Sequence, residues 1–386
     1  MAHGTADKQT TVADRDATQI RVAVIIAETR ATGLVRQLLE TLTRLDGEKC
    51  AVRITIVARH GVDVEQISSE ARYRGLDYEV MREASAWDPS LIGRLNDRLR
   101  SWSPDLVQTH GHKPNVLGFL AHRRFGLPWV AFYHGRTTTD SRVRLYHRLN
   151  RHVMSCAPQI VAVADGVQSH LRKRDRGRVR VIENAVVNRT ARMVSRNEDR
   201  HRLGLQSYER AVGFIGRLSD EKGPDLFLEA FAILRSELPE ARAFIVGDGP
   251  LRMALGRTVA RSGLEDSVRF CGFVEEMDAV YSALDIVVIS SRSEVFPNVL
   301  LEAVSAGVPV VAARVGGIPN IVAGLESVTL VDAADARGLA SSIKSALDSR
   351  SDAAIDRARA RVGERYSQER RAAEFLDLYR ELLRDR

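Results

Sequence analysis

Two carboxylates, Glu294 and Glu302, stand with seven residues between them inside 285–319, DIVVISSRSEVFPNVLLEAVSAGVPVVAARVGGIP. Glu302 is the sole charge in Asn298-Val-Leu-Leu-Glu-Ala-Val-Ser-Ala306, a run apolar nearly all round. An unpaired carboxylate in such a setting costs several kcal/mol, so it must find partners. Hydroxyls of a bound sugar or ribose would satisfy it, and so would an Arg or Lys from a neighbouring segment. Glu294 lies just ahead of a helix start, with Pro297 suited to the first helical position and Asn298 following. The free N–H groups and dipole of that start favour a phosphate or another anion. One carboxylate for sugar hydroxyls, one for ribose hydroxyls and a row of amides between them would hold a sugar nucleotide.

A second constellation is Ala211-Val-Gly-Phe-Ile-Gly216-Arg217-Leu-Ser-Asp-Glu-Lys222-Gly-Pro-Asp. A strand ends at Gly216, two cations follow, and Pro224 starts a helix. A departing nucleoside diphosphate gains negative charge as its bond breaks, and a fixed Arg217 and Lys222 can stabilise that charge without a metal. A surface ion pair with Asp220 or Glu221 is the plainer use of the same cations. Three histidines, in Thr109-His-Gly-His112 and Phe132-Tyr-His-Gly135, stand at strand ends and point at a crevice. Gly33, in Glu28-Thr-Arg-Ala-Thr-Gly33, either lets the backbone approach a phosphate or makes a connecting turn.

The elements that must position these residues follow from periodicity. β-branched, apolar runs at 20–27, 53–58, 77–81, 105–110, 129–134, 160–164 and 179–183 read as strands, and helical patterns separate them. The second half repeats the scheme at 211–216, 243–247, 268–273, 285–290, 309–313 and 328–331. Strands alternating with helices mean right-handed crossovers and parallel sheets, so the chain is α/β in two halves. Loops leaving the carboxyl ends of such strands line the ligand crevice. Val246-Gly-Asp-Gly249-Pro lacks the third glycine of a dinucleotide fingerprint and does not follow the first strand of its half. The polar run 188–207 separates the halves. A last helical segment, 367–384, carries Ala372, Phe375, Leu376, Tyr379 and Leu383 at helical spacing.

Composition narrows the class. The chain has 386 residues, 44% of them apolar, which fits two or three domains with ordinary cores. Its three cysteines, Cys50, Cys156 and Cys271, are far apart and form no CxxC, which argues for a reducing compartment and against a disulfide framework or zinc site. Cys271 reads as a core residue. Residues 1–18 read as a disordered polar tail without a signal peptide, and no run reaches membrane-spanning length, so the expected location is cytoplasmic. The net charge of +7 is unevenly spread. Arg142, Arg144, Arg148 and Arg151 crowd one segment; Arg172, Lys173, Arg174, Arg176, Arg178 and Arg180 crowd another. Such clusters suit anionic lipid or a phosphorylated acceptor as well as a solvated basic face. They lack the interleaved aromatics of a nucleic-acid surface.

Glu294-Val-Phe-Pro-Asn-Val-Leu-Leu-Glu302-Ala, followed by Ser-Ala-Gly-Val-Pro-Val-Val and Val315-Gly-Gly-Ile-Pro319, closely resembles the signature of the retaining GT-B glycosyltransferases of family 4. Gly216-Arg217 through Lys222 is a second match. One departure is Asn320, where family members usually carry Glu. The resemblance implies two Rossmann-like, doubly wound parallel-sheet domains facing across a cleft: an acceptor domain at 19–190, a linker at 191–207, a donor domain at 208–365, and a helix at 366–386 crossing back. It implies His134, Arg217, Lys222 and Glu294 at the reacting centre. Gly33, Gly216, Val274, Phe296, Pro297, Asn298 and Glu302 complete the donor site, Val274 standing in Phe270-Cys-Gly-Phe-Val274, whose backbone reads the nucleobase. His110 and His112 fall on the acceptor side.

The activity so implied is retaining transfer from a UDP- or GDP-sugar to an acceptor hydroxyl, with no cofactor and no metal, since no DxD motif stands near the donor site. The expected acceptor is lipid-linked or anionic, in envelope polysaccharide or glycolipid assembly at the inner face of the cell membrane, with peripheral contact to anionic lipid and no nucleic acid. A sugar-nucleotide epimerase on the same architecture and a non-catalytic nucleotide-sugar-binding protein are the competing readings.

Overall fold

The computed structural model describes residues 19–47, 49–85, 88–135, 141–164, 171–186 and 195–384, with no side chains described over 141–147. Residues 1–18, expected as a tail, and 187–194, the start of the expected linker, lie outside them. Seven strands make the first sheet: β1 (Ile20–Ile26), β2 (Cys50–Arg59), β3 (Asp77–Glu83), β4 (Leu106–His110), β5 (Trp129–Tyr133), β6 (Gln159–Ala162) and β7 (Val179–Val181). Six make the second: β8 (Arg210–Ile215), β9 (Ala241–Val246), β10 (Val268–Gly272), β11 (Ile286–Ile289), β12 (Val310–Ala313) and β13 (Val328–Val331). Each run picked out by β-branched residues holds one of these strands.

The orders are β3-β2-β1-β4-β5-β6-β7 and β10-β9-β8-β11-β12-β13, parallel throughout. In each sheet the order turns at its first strand, so the crevice opens where β1 meets β4 and where β8 meets β11. The strands carry apolar residues on both faces because helices cover both. One face of the first sheet shares a core with the helix Gly33–Leu45 and the last helix, Gln368–Arg384. Phe375 of that last helix stands 5.1 Å from the Phe132 ring of β5, so the chain's end returns to the first domain.

Besides strand ends that shift by a few residues, two boundaries differ from the sequence reading. Residues 196–202, assigned to the linker, form a helix capped by Ser195, and Arg196 and Arg200 grip Asp285 at 2.6 and 3.1 Å. That half-buried acid ties the segment to the second domain. Pro297 is the cap rather than the first residue of the helix Asn298–Ser305, because its ψ of 89° is not yet helical. Gly307, at φ 76°, follows the end of the helix.

Candidate functional site

The loop after β8 and the loop after β11 are stitched together. Arg292 and Ser293 donate backbone N–H bonds to the Glu221 carbonyl at 2.9 and 3.3 Å, and Ser290 Oγ donates to the Gly223 carbonyl at 2.7 Å. The Arg292 guanidinium forks onto Asp225 at 2.9 and 2.6 Å, which holds the Asp225 carboxyl below its ordinary range. Within this frame Lys222 Nζ lies 2.6 Å from Glu294 Oε1, and Ser291 Oγ donates to the same oxygen at 2.7 Å. Glu294 is 8% exposed, so its charge is met by a cation from the neighbouring strand's loop rather than by water. Arg217, at the end of β8, is exposed and has no side-chain partner among the described residues. The turn 247–249 supports that loop, Leu218 donating to the Asp248 carbonyl at 3.0 Å.

Glu302, one helical turn deeper, is half-buried and accepts from the Tyr281 hydroxyl at 2.9 Å. Its Oε1 would stand 3.3 Å from a Cβ placed on Gly33 of the first domain. A second close approach crosses the cleft beside it: a Cβ on Gly135, at φ 91°, would come within 2.5 Å of Val295 Cγ2. The residue after His134 and the residue after Glu294 therefore touch. Gly316 explains the paired glycines, since a Cβ there would fall 1.7 Å from the Glu294 carbonyl oxygen.

His110 and His134 form one unit. His110 Nδ1 lies 3.0 Å from His134 Nε2, their rings stack at 5.2 Å, and His110 Nε2 lies 2.7 Å from Gln108 Nε2. Tyr379, on the last helix, donates its hydroxyl to Gln108 Oε1. With the amide so oriented, Gln108 donates to His110 Nε2, His110 Nδ1–H donates to His134 Nε2, and the remaining proton sits on His134 Nδ1. That N–H is buried and has no partner among the described residues. Burial first, and the Arg371 charge second, push the His134 pKa down to about 3. His110 is held well below its ordinary value by burial, by His134 and by Arg371. Both rings are neutral near pH 7, and His134 keeps a buried hydrogen-bond donor at the carboxyl end of β5.

Other expected positions fall differently. His112 is exposed, parts from the other two histidines, and begins the helix His112–Phe125. Phe296 packs its ring edge-on to Tyr366 at 5.9 Å and Pro297 is buried, so both anchor the loop from below. Asn298 Oδ1 accepts from Asn184 Nδ2 of the first domain at 3.2 Å. Val274 is half-buried and stands beside Glu275, whose carbonyl accepts from Arg36 at 2.7 Å. Gly216 ends β8, its N–H bonded to the Val246 carbonyl at 2.9 Å. Cys271, expected in the core, is half-buried. The second basic cluster is in part internal: Arg178 holds the Ala157 and Ser155 carbonyls and Asp175, and Arg180 pairs with Glu381. The side chains of Arg142 and Arg144 lie outside the described residues. Among the described residues no group of three or more His, Cys, Asp or Glu could hold a metal, and no helix is long and apolar enough to cross a membrane.

Sequence reasoning missed Ser291, Tyr281, Gln108 and Arg371, and read Tyr379 only as an apolar position of the last helix. Ser291 was within reach, being three residues before Glu294 on the same loop; the others come from elements whose neighbours only the fold reveals.

Two doubly wound sheets with opposed carboxyl edges, and acids and cations on neighbouring loops of the second, define the GT-B class of glycosyltransferase. Residues 31–187 match the family described as Glycosyltransferase Family 4, and residues 209–349 match Glycosyl transferases group 1. A D-inositol 3-phosphate glycosyltransferase of Streptomyces avermitilis is 30% identical over 363 residues, covering 85% of this chain and 76% of that protein. A 2-deoxystreptamine glucosyltransferase of Streptomyces kanamyceticus is 30% identical over 286 residues, covering 68% of this chain and 73% of its own length. The structure of Anabaena HepE in complex with UDP-glucose superimposes with a TM-score of 0.79 at 22% identity, over 93% of this chain and 99% of that one. The chain belongs to glycosyltransferase family 4.

Proposed function

We propose that this glycosyltransferase moves a sugar from a UDP- or GDP-sugar to an acceptor hydroxyl with retention of anomeric configuration and without a metal ion. One observation carries the reading: Lys222 and Glu294, 72 positions apart, meet at 2.6 Å where β8 and β11 end. A structural neighbour solved with UDP-glucose supports a nucleotide-sugar donor. In this reading Arg217 and Lys222 take the diphosphate, Glu294 and Glu302 take sugar and ribose hydroxyls, and His134 Nδ1–H donates to the sugar. The acceptor oxygen attacks the anomeric carbon on the face the diphosphate leaves, through an oxocarbenium-like state. The bond from that carbon to the phosphate oxygen breaks as the new one forms, and the acceptor proton passes to the departing phosphate. Lys222 stabilises the charge that develops there. The acceptor is lipid-linked or anionic and belongs to envelope polysaccharide or glycolipid assembly, met by the basic first domain at the inner face of the cell membrane.

Calorimetric titration with UDP and GDP in the presence of EDTA tests the donor site: one nucleotide should bind saturably, and Lys222→Ala should lower kcat by about 10²–10³. NMR of the product anomer tests retention, and turnover without acceptor would expose an epimerase. Silence toward both nucleotides, or an inverted product, would sink the proposal.

A further inference from the structure

A cavity of about 600 Å³ lies wholly in the first domain. Leu91 and Ile92 of the helix Ser90–Trp102, Val116, Leu117 and Leu120 of His112–Phe125, and Leu149 of Ser141–Met154 line it. That volume is within the range of small-molecule sites, roughly 300–1,000 Å³. Besides Asp88 and Asn150, its polar lining groups stand at one end of the fold: Arg59 and Glu83 close β2 and β3, and His112 and Lys113 follow β4. The polar end therefore opens at the carboxyl edge of the sheet, two residues from His110 and on the same side as the cleft. Lys113 neutralises Glu83, which is 4% exposed, at 2.6 Å, while the exposed Arg59 guanidinium has no partner among the described residues. Ile92 and Leu149, 37% and 45% exposed, leave apolar surface open at the cavity. A wholly hydrophilic acceptor would leave that lining wet.

We propose that this cavity takes the apolar body of the acceptor, which is an amphiphile: a hydrocarbon or aromatic portion between the three helices, and a hydroxyl-bearing head beside His112 and Arg59. The inference deepens the proposed transfer and rests on it for the acceptor's role. It sets this chain apart from relatives named for inositol phosphate and 2-deoxystreptamine.

The full chain is titrated with 8-anilinonaphthalene-1-sulfonate, an anionic aromatic probe. The expected result is saturable one-to-one binding, displaced by decyl β-D-glucoside below its micellar concentration and untouched by methyl β-D-glucoside. Leu120→Trp fills the cavity from a half-buried position and should weaken probe binding about tenfold, equal to about 1.4 kcal/mol. Leu149→Asp, at an exposed site that folding tolerates, should weaken it likewise. Unsaturable binding, or equal binding in both variants with unchanged circular dichroism, overturns the proposal. UDP affinity, read in parallel, should be the same in all three proteins; its loss in the parent chain strikes the donor reading and leaves the cavity result standing. Pelleting with phosphatidylglycerol vesicles, abolished by Leu149→Asp, assigns the amphiphile to a bilayer, and protein left in the supernatant assigns it to water-soluble aglycones; either result upholds the apolar body.

Discussion

At His134 the proton's place is decided by neighbours rather than by solvent. Its pKa of about 3 in the folded chain lies below the ordinary value of 6.5, so between these values the unfolded chain binds a proton that the folded one refuses. Stability therefore rises with pH across that window and is lost as pH falls, by up to about 1.4 kcal/mol per pH unit for each such histidine. Urea midpoints at pH 5, 6, 7 and 8 should fall steeply below pH 6.5 and level above 7, and His134→Asn should flatten the slope. A level profile in the parent chain would show that the pair charges freely. Tyr379→Phe acts on the same unit from further away, because losing its hydroxyl frees the Gln108 amide to turn over and the tautomers to exchange. It should cost about 1 kcal/mol of stability, lower kcat several-fold with little change in donor KM, and mix the two tautomers in ¹⁵N spectra of the histidine rings. A single unchanged tautomer would rule out the positioning role. The sequence showed that histidines stand at strand ends, since β4 and β5 were legible as apolar runs. It could not show that His110 and His134 pair while His112, two residues on, turns into a helix start, because that depends on which way each side chain leaves the sheet edge.

The last helix is the element on which that pair leans. Its apolar spacing was readable, yet the spacing named Leu376 and Leu383, which are partly buried, and passed over Leu378, which is fully enclosed. Nor did it reveal Gln368 and Arg371, 1% and 2% exposed, since glutamine and arginine on a helix usually face water. Here Arg371 reaches Asn184 Oδ1 at 3.1 Å and Thr41 Oγ1 at 3.3 Å, and Asn184 in turn holds Asn298 at the start of the helix bearing Glu302. Burial holds the guanidinium down to a pKa of about 10, and no carboxylate pairs with it among the described residues. The helix thus links the histidine pair of one domain to the acidic helix of the other. Phe375→Ala removes a fully buried ring and should cost about 3–5 kcal/mol in urea denaturation. UDP affinity measured below the new midpoint should also fall, because Arg371 and Asn184 lose their register. Retained affinity with the full stability loss would make the helix a packing element only.

Across the whole molecule one buried apolar cluster runs through both domains, and among the described residues polar bonds join them beside it at the cleft. Arg36 Nη1 donates to the Glu275 carbonyl at 2.7 Å, Gln66 Nε2 to the Glu275 carboxylate at 2.8 Å, and Asn184 to Asn298 at 3.2 Å. At two glycines, Gly33 on Glu302 and Gly135 on Val295, the domains come too close for an unstrained Cβ. Polar bonds of this kind can break and re-form as domains move, and closure over a donor excludes water and completes the site. Motif text made the halves and their loops legible because each motif is contiguous; the closure contacts were not, since each joins residues more than a hundred positions apart whose types are common anywhere on a surface. Arg36 and Gln66 touch no proposed ligand, so they isolate the closing step from chemistry. Arg36→Ala removes one of the bonds holding the closed arrangement and should shift the unliganded chain toward openness by about 0.5–1.5 kcal/mol. Donor KM should then rise two- to tenfold with kcat retained, and small-angle scattering should show a larger radius of gyration without nucleotide that contracts to the parent value when UDP is saturating. A radius unchanged by the substitution and by UDP alike would mean that the domains form a fixed body, in which a Cβ at Gly33, 3.3 Å from Glu302 Oε1, could not be relieved by domain motion.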